Sequence, residues 1–320
     1  MPSSTSSSHH KQCGWTWGIG RSVNSIPINH TSNILTINQH TNDFPEACEA
    51  LLDQVLTTAL SKETKPIKIL DVGCGCGDQS LYLLKTLGCQ SKSEIADSKH
   101  NLRHRSVKQQ SQSLPALTSY VGITLEPAQA DLAERRINQI ENISFPTKVF
   151  CADASIPSKW PAELSSLANT PSKESENESR WLLALDTIYH FRPSRTPILS
   201  HAVNLNFSFM AFDLLLGENV AWWEKLLLRI VCLGTNAPFG NFVTETEYVD
   251  MLVAAGYSRE SIEMRDVSRF TFGGLAGFMG ERAKVGRDYG LAVGKYKVAS
   301  WVFGWWARGA VRGVIVVARK

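Results

Sequence analysis

The sequence predicts an α/β domain built on a doubly wound, largely parallel sheet, and three observations carry that reading. The apolar run Ile67, Ile69, Leu70 and Val72 has the composition of a buried strand. It breaks into Gly73-Cys74-Gly75-Cys76-Gly77 and then into a helical pattern at Ser80, Leu81, Leu83, Leu84 and Leu87, which Gly88 can end. A second apolar run from Tyr120 closes on Glu126-Pro127, and Ala130, Ala133, Ile137 and Ile140 follow at helical spacing. The alternation continues with strand-like segments at 147–151, 181–186 and 205–213, the order expected of a parallel sheet with crossover helices. A chain of 320 residues, 43% of them apolar and 20% charged, can bury one substantial core with decorations and need not be divided further.

The glycine loop is the first element with chemistry. Three glycines at alternate positions leave no Cβ in the way, so a ligand can lie against bare backbone amides at a helix N-terminus. The spacing differs from the dinucleotide fingerprint G-x-G-x-x-G, because Asp78 follows Gly77 directly. A carboxylate at that mouth repels a pyrophosphate and suits a sulfonium or ammonium cation. With the leading Asp71, the string LDVGCGCGDQ closely resembles motif I of the class I S-adenosylmethionine-dependent methyltransferases. The resemblance implies S-adenosyl-L-methionine as cofactor, with Asp71, Gly73, Gly75 and Gly77 forming its seat.

The wording GITLEPAQ, residues 122–129, is similar to the G-I-T-L-S-P-x-Q of tocopherol-type and related small-molecule methyltransferases, with Glu126 where many members carry serine. An acid closing the second strand suits the ribose hydroxyls. Ala152-Asp153-Ala154-Ser155, after the third strand, resembles the element that reads the adenine amino group, through Asp153 and Ala154; Asp153 also suits a purely local role, capping a short turn. The family implies a Rossmann-like sheet of seven strands with the last antiparallel, covering 45–320. It also implies an N-terminal cover from Trp15 to Gly20 and from a helix over Phe44 to Leu60, and lid segments toward the C-terminus.

The fourth strand ends in Asp186-Thr187-Ile188-Tyr189-His190, and ligands of open parallel sheets bind beyond such strand ends. In the family this end approaches the methionine moiety, which assigns Asp186 to the cofactor. Methyl transfer from a sulfonium needs mainly proximity and alignment, sometimes with a base. His190 is the candidate base, because its ordinary pKa lies near neutrality, and Tyr189 the candidate for orienting the acceptor. A histidine near a strand end is often only a surface or hydrogen-bonded structural residue. Arg192 and Arg195 suit an acidic substrate group or ordinary surface capping.

The chain is divided into a flexible segment, 1–42, and a methyltransferase domain, 43–320. Polar, aperiodic stretches at 89–118 and 163–179 read as insertions. The first accounts for a separation of Gly77 and Glu126 well beyond the usual distance of about 20 residues. The capping box Thr244-Glu245-Thr246-Glu247 opens a helix that Gly256 stops, and strands over 261–267 and 313–318 close the sheet. Trp222, Trp223, Phe239, Phe242, Phe270, Phe272 and Phe278 suit a roof over a lipophilic substrate, although half of such rings are ordinary core.

Seven cysteines without paired spacing make no disulfide framework, and Cys74-x-Cys76 lacks a second pair at zinc spacing, so no metal is expected. No signal peptide is read, which together with free thiols suggests a cytoplasmic setting; the absence of acids before Asp43 resembles a weak organelle-targeting bias. The basic, tryptophan-interleaved stretch 281–320 suits a transient membrane-surface contact. Net charge of +3 selects no partner, nothing selects an oligomeric state, and without an Asn/Asp-Pro-Pro-Tyr/Phe motif a nucleic-acid base is not the expected acceptor. The sequence therefore points to methyl transfer onto a lipophilic small molecule or secondary metabolite. Two alternatives stand: a non-methylating, pericyclase-like or regulatory protein that keeps the cofactor, and a nicotinamide-dependent oxidoreductase.

Overall fold

Strand β1 (Ile67–Val72) lies at the centre of the domain, buried along its whole length. In the computed structural model, which describes residues 44–88, 114–170 and 178–320, β2 (Leu117–Thr124) and β4 (Ser179–Leu185) flank β1 on either side in parallel. With β3 (Thr147–Cys151), β5 (Ser208–Leu216), β6 (Ile262–Asp266) and β7 (Val311–Ala318) they form one seven-stranded sheet of order β3-β2-β1-β4-β5-β7-β6. Strand β7 runs antiparallel to both neighbours, as the family resemblance implies. The first five strands are parallel, so the carboxyl ends of β1 to β4 share one edge.

Alternation along the strands divides the core into two layers. Ile67, Ile69, Leu183, Leu185, Phe212 and Ile315 face one side, with α1 (Phe44–Leu60), α2 (Asp78–Leu87) and α3 (Pro127–Ile137). Leu70, Val72, Leu182, Ala184, Ala211 and Val316 face the other, with α4 (Ala162–Asn169), α5 (Thr196–Asn204) and α7 (Glu245–Ala255). Near-continuous apolar strands are what a sheet covered on both faces requires. Helices α6 (Trp222–Thr235), α8 (Ser268–Asp288) and α9 (Gly294–Trp305) form a third group, above β5 and β7.

Several boundaries differ from expectation. The fifth strand starts at Ser208 rather than Leu205, because α5 runs to Asn204 and Asn206 reverses the chain in the left-handed region at φ 59°. Part of the stretch read as an insertion over 163–179 is helix α4, whose Leu164 and Ala168 are buried on an otherwise polar segment. Of the expected insertion 89–118, residues 117 and 118 belong to β2, while 89–113 lie outside the described residues. The flexible-segment and cofactor-cover readings on 1–42 lie outside them as well. The cover helix expected over Phe44 to Leu60 is present as α1.

Candidate functional site

After β1 the chain turns through Gly73, Gly75 and Gly77, all at positive φ (85°, 55° and 84°), a region that L side chains enter only with strain. The three glycines serve different ends. A Cβ on Gly73 would meet Thr187 Oγ1 at 2.3 Å, and one on Gly77 would meet Ala133 Cβ of α3 at 2.9 Å. A Cβ on Gly75 would meet nothing within 4 Å. Gly73 therefore docks the loop on the end of β4, Gly77 seats α2 against α3, and Gly75 is the position at which bare backbone faces open space. Gly73 N and Cys74 N both donate to Ile123 O, at 2.8 and 3.1 Å, fastening the loop to β2.

Asp71 stands behind this loop and is fully buried. Its oxygens accept from Gln79 Nε2 at 2.6 Å and Tyr120 Oη at 2.7 Å, so the carboxylate ties the first turn of α2 to β1 and β2. Burial pushes its pKa up to about 6, against those two bonds. Asp78 departs from its expected role. Arg136 of α3 donates to Asp78 Oδ1 at 2.6 Å and to Cys76 O at 2.7 Å, so the charge at the loop mouth is already paired. Cys74 is buried with its thiol pKa pushed far up, and no group of three or more His, Cys, Asp or Glu side chains among the described residues is arranged to hold a metal ion.

The neighbouring strand ends carry the other candidates. Glu126, half-buried, is the residue before α3 in extended conformation and makes no capping bond to the helix that Pro127 opens. Asp153 is exposed at the end of β3. Its Oδ1 accepts from Ser155 N at 2.8 Å and Ser155 Oγ at 2.6 Å, the local turn role that its sequence also suits. Ala154 beside it is buried. In the order β3-β2-β1-β4 these residues lie to one side of the glycine loop and Asp186 to the other.

Asp186 has φ 51°, an uncommon state for a residue with a side chain, and its backbone N donates to Phe212 O at 3.0 Å. Burial raises its pKa to about 7, while a hydrogen bond from Tyr189 lowers it and Asp213 raises it further. Tyr189 and His190 lie in a single turn, ring centroids 4.2 Å apart, held by Asn241 Nδ2, which donates to Tyr189 O at 3.0 Å and Phe191 O at 2.8 Å. Burial lowers the His190 pKa to about 4, so the ring is neutral at pH 7 and a weaker base than its ordinary value suggests. His190 Nε2 is buried without a hydrogen-bond partner.

Asp186, Tyr189 and His190 all open on a cavity of about 580 Å³. Most of its remaining wall is apolar: Phe44 of α1, Phe212 and Leu214 of β5, Val231 of α6, Met279 of α8, Val302 of α9 and Trp306 just after it are among its lining, with Thr235, Thr271 and Lys295 as polar exceptions. Of the aromatic roof read from sequence, Phe242, Phe270 and Phe272 line this space, whereas Trp222 and Trp223 are exposed and do not. The sequence reading missed Phe212 and Trp306. Phe212 shares its face of β5 with Met210 and Leu214, an alternation already present in the fifth strand read from sequence. Arg192 caps a surface helix, donating to Asn236 O at 3.1 Å at the C-terminal end of α6, whereas Arg195 serves neither expected purpose and is buried against Asp213 at 3.2 Å.

Comparison with protein-family models returns no match, and comparison with curated proteins returns none. Solved structures do match. The cyclopropane synthase MmaA2 from Mycobacterium tuberculosis aligns at TM-score 0.61 and 12% identity, covering 91% of this chain and 90% of that one. The mycolic acid cyclopropane synthase CmaA1 complexed with SAH and CTAB aligns at TM-score 0.60 and 14% identity, covering 91% and 90%. The [4+2]-cyclase SpnF aligns at TM-score 0.56 and 16% identity, covering 93% and 90%. At such identities the likeness concerns architecture, and it agrees with the strand order and the antiparallel β7: the chain has the Rossmann-like fold of the class I S-adenosylmethionine-dependent methyltransferases.

Proposed function

We propose that this protein is a methyltransferase that uses S-adenosyl-L-methionine and acts on a lipophilic small molecule. One observation carries the reading: Thr187 packs against Gly73 of the glycine loop, while the adjacent Asp186 lines the apolar cavity, so a ligand on the loop and a guest in the cavity would meet at this junction. The residues fit the cofactor. Gly75 leaves the loop backbone open to it and Gly73 docks that loop on the end of β4, while Glu126 is the candidate carboxylate for the ribose hydroxyls and Asp153 and Ala154 are the candidates for reading the adenine. Asp71 acts at one remove, by holding the loop and α2 together, and Gly77 likewise by seating α2 on α3. When bound, the cofactor supplies an electrophilic methyl group.

The chain's own contribution is alignment, exclusion of water and custody of one proton. The apolar wall orients an acceptor by shape and removes competing water. Asp186, with a pKa of about 7, is better matched than His190 to receive a proton at neutral pH. Tyr189 orients it, and the neutral ring of His190 lines the cavity beside it. Cyclopropane synthases of the same fold, one of them named for mycolic acid, support the class of acceptor.

Calorimetric titration with S-adenosylhomocysteine, in parallel with NADH, tests the cofactor. Micromolar binding of the former alone is expected, abolished in Gly75→Arg and weakened about tenfold in Glu126→Ala. Binding of NADH alone would overturn the reading in favour of an oxidoreductase. An apolar cavity beside a retained cofactor equally supports a cyclase such as SpnF. Transfer of label from methyl-labelled S-adenosylmethionine to lipophilic acceptors separates the two, since a cyclase leaves the label on the cofactor.

A further inference from the structure

Helix α6 carries most of its apolar residues on the solvent side. Leu228 and Cys232 are its fully buried residues, whereas Trp222, Trp223, Leu226, Ile230 and Leu233 are exposed, Trp222 to 78% and Leu233 to 83%. At about 100° per residue these five fall within a single arc of roughly 100°. One flank of that arc is basic, with the exposed Lys225 and Arg229, and the other is formed by Leu227 and Val231, which line the cavity. Scattered exposed apolar residues need no explanation, but a continuous stripe with two tryptophans marks a surface that is covered in use.

The stripe continues onto α9, where Val298 and Trp301 are exposed beside Lys295 and Lys297. Ile230, Val298 and Trp301 also line the cavity, so its mouth opens through this same surface. The nearby acid does not oppose an anion: Glu224 is turned inward, accepting from Ala221 N at 3.0 Å and Trp305 Nε1 at 2.9 Å. Among the described residues no helix is long and apolar enough to cross a membrane, so a contact here lies on the surface.

We propose that the exposed faces of α6 and α9 dock on an anionic lipid bilayer, and that the lipophilic acceptor enters the cavity from that bilayer. Tryptophan and leucine side chains suit the headgroup–acyl boundary, and the flanking cations suit anionic headgroups. The proposed contact combines α6 with α9, which lies within the basic stretch 281–320 that the sequence had suggested. The acceptor's route rests on the methyltransferase reading; the docking itself does not.

Co-sedimentation of the full-length protein with vesicles of phosphatidylcholine, alone or mixed with phosphatidylglycerol, is the test. Binding at least about tenfold stronger to the anionic vesicles is expected. Leu226→Glu combined with Leu233→Glu, at two exposed positions outside the cavity lining, should lower it at least about tenfold with melting temperature and S-adenosylhomocysteine affinity unchanged. Absence of vesicle binding, or equal binding by the double variant, overturns the proposal. So does a double variant that melts lower, the mark of a stripe covered by residues 1–43, or one that converts a dimer to a monomer in analytical ultracentrifugation. Failure of the wild-type protein to bind S-adenosylhomocysteine would count against the methyltransferase reading alone.

Discussion

Asp186 concentrates strain, burial and position in one residue. A left-handed φ at a non-glycine costs free energy, and here it aims a carboxyl of pKa about 7 into an apolar cavity beside the glycine loop. If the ionised carboxylate is the working form, turnover rises with pH through about 7, and Asp186→Asn lowers kcat by about 10²-fold or more while removing that limb. Tyr189→Phe deletes the hydrogen bond that lowers the Asp186 pKa, so the limb should move to higher pH, which a pH–rate profile reads directly. The same ionisation affects stability. Between the ordinary carboxyl range and about 7 the folded protein holds a proton that the unfolded chain has released, so stability declines as pH rises through that window. His190 acts oppositely, losing stability as pH falls from 6.5 toward 4. Melting temperatures from pH 4 to pH 8 should therefore show a smaller alkaline decline in Asp186→Asn than in the wild type.

Individual elements are held by local chemistry that can be tested without a substrate. Helix α7 starts at a reciprocal capping box: Glu247 N donates to Thr244 Oγ1, and Thr244 N donates to Glu247 Oε2 at 2.8 Å. Thr244→Ala should cost about 1 kcal/mol in a denaturant titration. The glycine loop separates folding from binding by position. Gly77→Ala forces a Cβ onto Ala133 of α3 and should destabilise more than Gly75→Ala, which meets only the backbone strain of about 1–2 kcal/mol. Affinity for S-adenosylhomocysteine should show the reverse order, because Gly75 faces open space.

Across the whole molecule, one buried ion pair links layers that the sequence lists far apart. Arg195, at the start of α5, pairs with Asp213 of β5 at 3.2 Å, lies over the Tyr248 ring of α7 and donates to Asn241 O at 2.6 Å. Asn241 in turn holds the Tyr189–His190 turn, so the pair braces the cavity wall from below. Arg195→Met leaves Asp213 buried without its cation and should cost about 3–5 kcal/mol by chemical denaturation; the double change Arg195→Met, Asp213→Leu should recover much of it.

What the sequence determined by itself is whatever short-range physics decides. Glycines held at positive φ between an apolar strand and a helix make the loop legible, and Glu126, Asp153 and Asp186 make the ends of their strands legible. The helix over Phe44 to Leu60, the strand over Thr147 to Cys151 and the capping box at Thr244 were legible for the same reason. Tertiary structure decided what depends on partners remote in the chain. Arg136 pairs with Asp78, Gln79 and Tyr120 enclose Asp71, and burial moves the His190 and Asp186 pKa values in opposite directions. It also decided which aromatic residues line the cavity and which face outward on α6, since a side chain's composition does not record which of its neighbours the fold will bring to it.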